Sequence, residues 1–117
     1  MADGNGQDDI GISPAAIEEL KQRHGAARLS TVKVPDGTTW IIRRPTKAIW
    51  TLYVNDARKE GADGSVVNDR LVLDCVVYPE RKQVAPILDE YPAFSGSLSN
   101  VLGEMAGLSG ELDVKKL

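Results

Sequence analysis

Few side chains in this 117-residue sequence have the chemistry that catalysis requires. The chain contains one cysteine, Cys75, and one histidine, His24. Cys75 lies within an apolar run, where a thiol behaves as a small hydrophobic side chain with a raised pKa rather than as a nucleophile. His24 falls where a last helical turn is predicted, a position typical of a polar residue near C-terminal carbonyls. We therefore expect neither residue to take part in nucleophilic or acid–base catalysis.

The acidic and glycine-containing segments match no metal-binding or phosphate-binding motif. Four acids surround a glycine-containing loop: Asp56, Glu60, Asp63 and Asp69. Their spacing differs from that of a calcium loop, and a single histidine with a single cysteine cannot by themselves supply a zinc site. The segment Ser95-Gly96-Ser97 is not a Gly-x-Ser-x-Gly nucleophile elbow, and no strand is predicted before it. The sequence thus predicts no catalytic residue, no cofactor and no metal, and we do not expect an enzyme.

Length and composition predict one folded domain. The hydrophobic fraction is 42%, the charged fraction is 26% and the net charge is -3. No apolar run approaches the ~20 residues that cross a bilayer, and the first residues lack the basic start and apolar middle of a secretory signal. A single cysteine allows no internal disulfide, which favours a reducing cytoplasm. We predict a flexible acidic arm at 1–11, a single domain at 12–110 and a polar tail at 111–117.

Charge is unevenly distributed along the chain. Residues 1–20 carry five acids and no lysine or arginine, whereas residues 21–47 carry seven basic residues and one acid, Asp36. Such a basic region could attract nucleic acid or an acidic partner. Because no nucleic-acid motif accompanies the charge, a solvated face that balances acidic neighbours is the favoured interpretation, and we do not expect nucleic acid as a partner. A small nucleic-acid-binding regulator that uses residues 21–47 remains an alternative.

The first half of the chain predicts a helix, a hairpin and a second helix. Ser13-Pro14 is typical of a helix start, and Gly25 of a helix end. The β-branched and aromatic segments around Pro35-Asp36-Gly37 predict a hairpin whose turn uses the proline and the glycine. Thr46 then caps a predicted helix that reaches Lys59.

The second half, from Asn68 to Gly110, is divided by two Tyr-Pro steps into three predicted helices. Proline fits the first turn of a helix but not its interior. The first of these helices is predicted at 69–77, after a loop at 61–65 and with Asn68 as its cap, although the β-branched content of 71–77 also allows a strand. The next is expected to start near Gln83, which would put Pro86 in or beside its first turn, and the last starts at Pro92. The predicted fold class is α+β, mainly α: an N-terminal helix, one β-hairpin and then about four helices.

Several large apolar side chains are candidates for contact with a partner, because aromatic residues anchor many interfaces. A second interpretation places the same side chains in the core. The candidates are Trp40, Trp50, Tyr53, Tyr91, Phe94, Leu98, Val101, Leu102 and Met105.

The order of motifs resembles the small tail assembly chaperones of long-tailed bacteriophages and related prophages. The resemblance covers residues 17–110 and includes the glycine-turned hairpin and the helix after it. Its ordered motifs are Leu-Lys-x-x-His-Gly at 20–25, Arg43-Arg44-Pro45, the run from Leu71 to Glu80, Tyr91-Pro92 and Leu108-Ser109-Gly110. It supplies no catalytic residue.

This resemblance implies a non-enzymatic protein that binds the tape measure protein and helps recruit tail tube protein during tail morphogenesis. It also implies action in the host bacterial cytoplasm and absence from the mature virion, with no role at a membrane. Self-association, or a longer product made by ribosomal frameshifting near Lys115-Lys116, is a further expectation. A minor structural protein of the tail is another alternative.

Overall fold

The computed structural model describes residues 11–108 and 114–117, so most of the predicted arm at 1–11 and part of the tail at 111–117 fall outside it. The described residues form five α-helices and a three-stranded antiparallel sheet. The predicted fold class, α+β and mainly α, is confirmed, with a helix and a hairpin followed by four helices. The sheet also includes a third strand, between the third and fourth of the five helices, in the region where the sequence allowed either a helix or a strand.

The first helix, α1 (Pro14–His24), begins and ends where the sequence predicts. The Ser13 side chain accepts a hydrogen bond of 3.1 Å from the Ala16 N–H, and Pro14 occupies the first helical position. Gly25 ends the helix with φ at 86°, a left-handed value that glycine adopts without strain. A short 3-10 turn, Ala26–Arg28, then leads into the sheet.

The hairpin consists of β1 (Leu29–Lys33) and β2 (Thr39–Arg43), which pair antiparallel. Its turn is held by Asp36, whose Oδ1 accepts hydrogen bonds from the Thr38 N–H at 2.9 Å and the Thr38 hydroxyl at 2.6 Å. Thr39 to Ile42 of β2 are all buried, because β2 is the central strand and both of its faces are covered.

The second and third helices are α2 (Lys47–Arg58), capped by Thr46 as predicted, and α3 (Gly64–Cys75). Two predictions about α3 are wrong. Its cap is Asp63, which accepts from the Ser65 and Val66 N–H groups, so Gly64 and Ser65 belong to the helix rather than to a loop. Asn68 lies inside the helix and accepts a hydrogen bond from the Tyr53 hydroxyl instead.

Residues 71–77, for which the sequence allowed either a helix or a strand, form the end of a helix and the start of a strand. The helix ends at Cys75, and β3 (Val76–Tyr78) pairs antiparallel with β2. The helical apolar stripe therefore matches the structure up to Cys75, and the β-branched propensity matches the strand that follows it.

The last two helices are α4 (Arg81–Glu90) and α5 (Pro92–Met105). The start of α5 is as predicted, but α4 begins before Gln83, so Pro86 lies beyond its first turn. Pro86 is exposed, as is Lys82, the residue whose carbonyl loses its usual i+4 donor. The backbone hydrogen bond that Pro86 cannot make is therefore absent on the solvent-exposed side of α4.

The sheet separates two apolar clusters. Trp40 and Ile42 of β2 point to the main core, which is built with α3, α4 and α5, and Ile41 points to a smaller cluster with Ile17 of α1. The largest fully buried side chains are Trp40, Ile42, Leu71, Leu98, Leu102, Val72, Val84 and Cys75. Among the described residues, no helix combines the length and the apolar character needed to cross a membrane.

Candidate functional site

The structure buries the Cys75 thiol and places the His24 imidazole near two positive charges. Cys75 is fully buried in the main core, and this burial raises the pKa of its thiol to about 12. The pKa of His24 is lowered, first by partial burial and then by the positive charges of Arg43 and Arg23. Within residues 11–108 and 114–117, no three histidine, cysteine, aspartate or glutamate side chains are grouped so as to hold a metal ion.

A cleft of about 420 Å³ opens between the hairpin turn, β3 and α4. Asp36 is the carboxylate on its wall, and Thr38, Trp40, Tyr78 and Gln83 are among the other lining residues. Hydrogen bonds from the Thr38 hydroxyl and N–H lower the pKa of Asp36, so this carboxylate stays ionised and committed to the turn. The Asp36 carboxylate is therefore not poised to exchange a proton near neutral pH.

Three small residues, Ser95, Ser99 and Gly103, follow one buried stripe of α5. The two serine hydroxyls have no hydrogen-bond partner among the described residues, and both side chains are buried. Buried hydroxyls without a neighbouring base are not nucleophiles. The small side chains instead let neighbouring helices approach closely, since α3 and α5 share the most extensive helix–helix contact.

The arginines of the predicted basic region are largely structural. An Arg28 Nη donates to the Arg44 carbonyl at 3.4 Å, and an Arg44 Nη donates to the Ala27 carbonyl at 3.2 Å. Arg43 donates to the Asp74 carbonyl, with its shorter bond at 2.9 Å. These three side chains tie the ends of the hairpin to each other and to α3, which lessens the case for a phosphate-binding face.

Three of the nine predicted partner residues belong to the core. Trp40, Leu98 and Leu102 are 2%, 1% and 0% exposed, so they present no side-chain surface to a partner. For these three residues the structure supports the core interpretation: Leu98 and Leu102 lie in the buried stripe of α5, and Trp40 lies on the central strand β2. Phe94 is half-buried, and its ring packs in a T-shaped arrangement with the ring of Trp40 at a centroid distance of 5.7 Å.

The other candidates are divided between two sides of α5. Val101 is 40% exposed, on the same flank as Phe94 and Met105. Gly103 faces Trp50 of α2, and it lies about 200° around the helix axis from Val101. Buried Leu98 and Leu102 lie between these two sides, so the structure does not bring all the predicted residues into one surface. Tyr91, at the α4–α5 junction, is half-buried.

The side of α5 that contacts α2 borders a half-exposed, mainly aromatic surface. We call it the Trp50 surface, and it consists of Trp50, Tyr53 and Val54 of α2 together with Leu108. The rings of Trp50 and Tyr53 are 5.0 Å apart, and the Tyr53 hydroxyl donates to Asn68 Oδ1 at 3.1 Å. Val54 lies one turn after Trp50 on α2. No residue of α2 is fully buried, so this helix keeps apolar area that a partner could cover.

Leu108, which was not among the predicted residues, is positioned by the way α5 ends. The Gly107 N–H donates to the Glu104 carbonyl at 3.0 Å and the Leu108 N–H to the Gly103 carbonyl at 2.8 Å, the paired bonds of a Schellman motif. Gly107 has φ at 105°, and the turn directs Leu108 onto Gly103, where it remains 64% exposed. A glycine followed by a leucine at the end of the apolar stripe is the sequence signal for this arrangement.

Comparison with known proteins identifies a family and a fold. The fold is similar to the solved structure of the uncharacterised protein rbstp2171 from Bacillus stearothermophilus, with a TM-score of 0.68 and 18% sequence identity over 85% of this chain and 99% of the other. At that identity the similarity concerns the fold alone. None of the curated proteins matches the chain. The model of the family described as domain of unknown function DUF6848 matches residues 20–115, and since this match spans most of the sequence, the chain belongs to the DUF6848 family.

Proposed function

We propose that this chain is a non-enzymatic tail assembly chaperone of a long-tailed bacteriophage or prophage. It binds the tape measure protein, keeps it soluble and helps recruit tail tube protein during tail morphogenesis. It acts in the host bacterial cytoplasm and is not retained in the mature virion. The support is the ordered set of motifs at 17–110 together with one structural observation, the half-exposed Trp50 surface on α2 and the end of α5.

The Trp50 surface has the properties expected of a site for an amphipathic helix. A tape measure protein is a long helical chain with exposed apolar stripes, and such stripes bind to apolar grooves through side chains spaced by one helical turn. Trp50 and Tyr53 provide large, rigid contact areas, and Leu108 projects beside Trp50 with most of its side chain exposed. Because these side chains are already ordered in the folded chain, a partner would lose little of its binding energy to ordering them.

The experiment is co-expression with the tape measure protein of the same phage or prophage, followed by measurement of its soluble fraction. Leu108→Asp places a charge in the Trp50 surface at an exposed position, so the domain should fold while solubilisation is lost. Val66→Asp is the matched control, because Val66 is 63% exposed but lies at the start of α3, away from Trp50. The control should solubilise as well as wild type does.

Two results would overturn the proposal. If the wild-type chain leaves the tape measure protein insoluble while an established chaperone rescues it, the assigned function fails. If Leu108→Asp and Val66→Asp have the same effect, the function survives but the Trp50 surface is not the site.

The proposal also expects a longer product of the same gene. The paired lysines Lys115-Lys116 are encoded by A-rich codons on which ribosomes can slip. The nucleotide sequence should show a slippery heptamer there and an overlapping open frame. Without both, the short form acts alone.

A further inference from the structure

The cleft between the hairpin turn, β3 and α4 contains backbone groups that the sheet leaves unpaired. Its volume of about 420 Å³ lies within the ~300–1,000 Å³ that is typical of ligand-binding pockets. Thr39, the first residue of β2, is one of its lining residues. The backbone of this residue determines what the cleft can bind.

The hairpin register shows which way the Thr39 backbone points. The Val34 N–H donates to the Thr38 carbonyl at 2.9 Å, and the Arg44 N–H donates to the Arg28 carbonyl at 2.8 Å. The pairing between these two bonds is continuous. Hydrogen-bonded pairs alternate along an antiparallel ladder, so the even-numbered residues of β2 bond to β1 and the odd-numbered residues point their backbone groups toward β3.

The strand β3 is too short to reach Thr39. Tyr78 pairs with Ile41, and the partner of Thr39 in the same ladder would be Glu80, but β3 ends at Tyr78 and Pro79 follows. Within the described residues, no hydrogen bond reaches the Thr39 N–H or C=O. Thr39 is only 6% exposed, so the cleft is the opening through which a partner can satisfy these two buried groups.

The cleft also carries a negative charge without a positive partner. Asp36 uses Oδ1 for both of its hydrogen bonds from Thr38, which leaves Oδ2 available. Those bonds lower the pKa of Asp36, so the carboxylate is ionised at neutral pH. None of the ion pairs formed within the described residues includes Asp36.

Nearby segments of the chain do not supply the missing positive charge. Arg81 and Lys82, at the start of α4, pair with Asp74 at 3.3 Å and with Glu80 at 3.5 Å. Residues 1–10, which precede the cleft in the sequence, contain three aspartates and no lysine or arginine, so they carry the same sign of charge as Asp36. Charge complementarity therefore favours a basic group from another molecule.

We propose that this cleft binds an extended basic segment of a partner protein, whose main chain pairs with the N–H and C=O of Thr39 and whose lysine or arginine side chain contacts Asp36. Pro79 and Ile87, on the wall of the cleft, cover the aliphatic stem of that side chain. The cleft shares no residue with the Trp50 surface, and the proposal does not depend on the chaperone assignment.

The probe is the peptide acetyl-Thr-Val-Lys-Val-Thr-amide, titrated into the labelled full chain and followed by NMR. The backbone amide signals of Thr38, Thr39 and Gln83 should shift, and so should the indole N–H signal of Trp40. The indole signal of Trp50 should stay in place. The same peptide with norleucine, a neutral residue of similar length, in place of lysine should bind at least three-fold more weakly at low salt, and the glutamate peptide at least ten-fold more weakly.

Two substitutions of aspartate by asparagine test the charge. Asp36→Asn keeps an oxygen that accepts from Thr38 but removes the negative charge, so it should weaken binding of the lysine peptide at least three-fold and leave binding of the norleucine peptide unchanged. Asp63→Asn is the matched control, because it removes the same charge at the cap of α3, where asparagine caps as well as aspartate does. It should bind both peptides as wild type does.

Two substitutions of Thr39 test the main-chain pairing. Thr39→Pro removes the N–H that faces the cleft without breaking a bond to β1, and it should weaken peptide binding ten-fold or more. Thr39→Val keeps the N–H and should bind as wild type does. If the proline variant does not fold, the amide shifts of the wild-type chain and the Asp36→Asn comparison still decide the matter.

Several outcomes would overturn the proposal. Signal shifts that lie away from the cleft, equal binding of the lysine and norleucine peptides, or full binding by a folded Thr39→Pro would each do so. Self-association of the protein alone that shifts the same amide signals would also overturn it, because a second copy would then be the occupant.

Discussion

Trp50 of α2 packs directly over Gly103 of α5: its Cη2 atom lies 3.4 Å from the position that a β-carbon would take at residue 103. The Leu108 Cδ2 atom lies at the same distance from that position. The absence of a side chain at Gly103 thus allows both residues to sit side by side. The candidate partner surface and the packing of α2 against α5 depend on the same glycine.

Substitutions at the two glycines of α5 should therefore have different effects. Gly96→Ala should raise the free energy of unfolding by up to ~1 kcal/mol, because the nearest side-chain atom, Nδ2 of Asn68, is 4.0 Å from the added carbon. In Gly103→Ala the added carbon would lie 3.4 Å from atoms of Trp50 and Leu108, so the free energy of unfolding should rise less than in Gly96→Ala. Gly103→Val should lower the free energy of unfolding by about 1–3 kcal/mol, because it displaces Trp50 and Leu108. Urea denaturation measures all three, and wild-type stability in Gly103→Val would show that this contact is loose.

Cys75 should resist thiol reagents in the native protein. It is fully buried, and its raised pKa, about 12, keeps the thiol protonated at neutral pH. Labelling at pH 8 should be slow and should accelerate to the rate of a free thiol in denaturant. Rapid labelling without denaturant would contradict the packing of α3.

The same pKa shift gives a dependence of stability on pH. In the unfolded chain the Cys75 thiol ionises near its ordinary value of 9.0, while in the folded chain it stays protonated until about 12. The folded state thus binds more protons in this interval, so the free energy of unfolding should fall as the pH rises from about 9 to about 12. Cys75→Ala, compared with wild type in urea melts across this range, should show a shallower decline.

Two substitutions to aspartate, at Leu98 and at Leu108, should distinguish a core position from a surface position. Leu98 is 1% exposed, so Leu98→Asp buries an unpaired charge and should unfold the domain. Leu108 is 64% exposed, so Leu108→Asp should retain the native circular dichroism spectrum and melt within a few degrees of wild type. A folded Leu98→Asp protein would mean that α5 is not anchored as described.

The effect of N-terminal truncation on the melting temperature should depend on whether Ile12 is retained. Ile12 packs against the cluster of Ile17 and Ile41, whereas the preceding residues are short of apolar side chains. A chain that starts at Ile12 should keep its melting temperature within a few degrees. A chain that starts at Ser13 should melt lower, because it loses that contact, and thermal denaturation of both compares them. A large fall in melting temperature for the chain that starts at Ile12 would show that residues 1–11 contribute to stability.

The sequence by itself determined the elements whose signals are local. Ser13 and Thr46 cap helices through side chains that reach backbone N–H groups three residues away, and the turn at Pro35-Asp36-Gly37 closes through its own backbone and the Asp36 carboxylate. The burial of Cys75 also followed from its apolar neighbours. Such features require no knowledge of what packs against them, so the fold class could be predicted.

Only the tertiary structure decided which apolar residues are surface and which are core. Phe94, Leu98, Val101, Leu102 and Met105 share one helical periodicity, yet Leu98 and Leu102 are buried while Val101 is 40% exposed. The end of α3 at Cys75 was likewise set by the pairing of Val76 with Ile42, a residue far away in sequence. Periodicity reports that a helix has an apolar face, but how much of that face is covered depends on the number and direction of its neighbours, which exist only in the assembled fold.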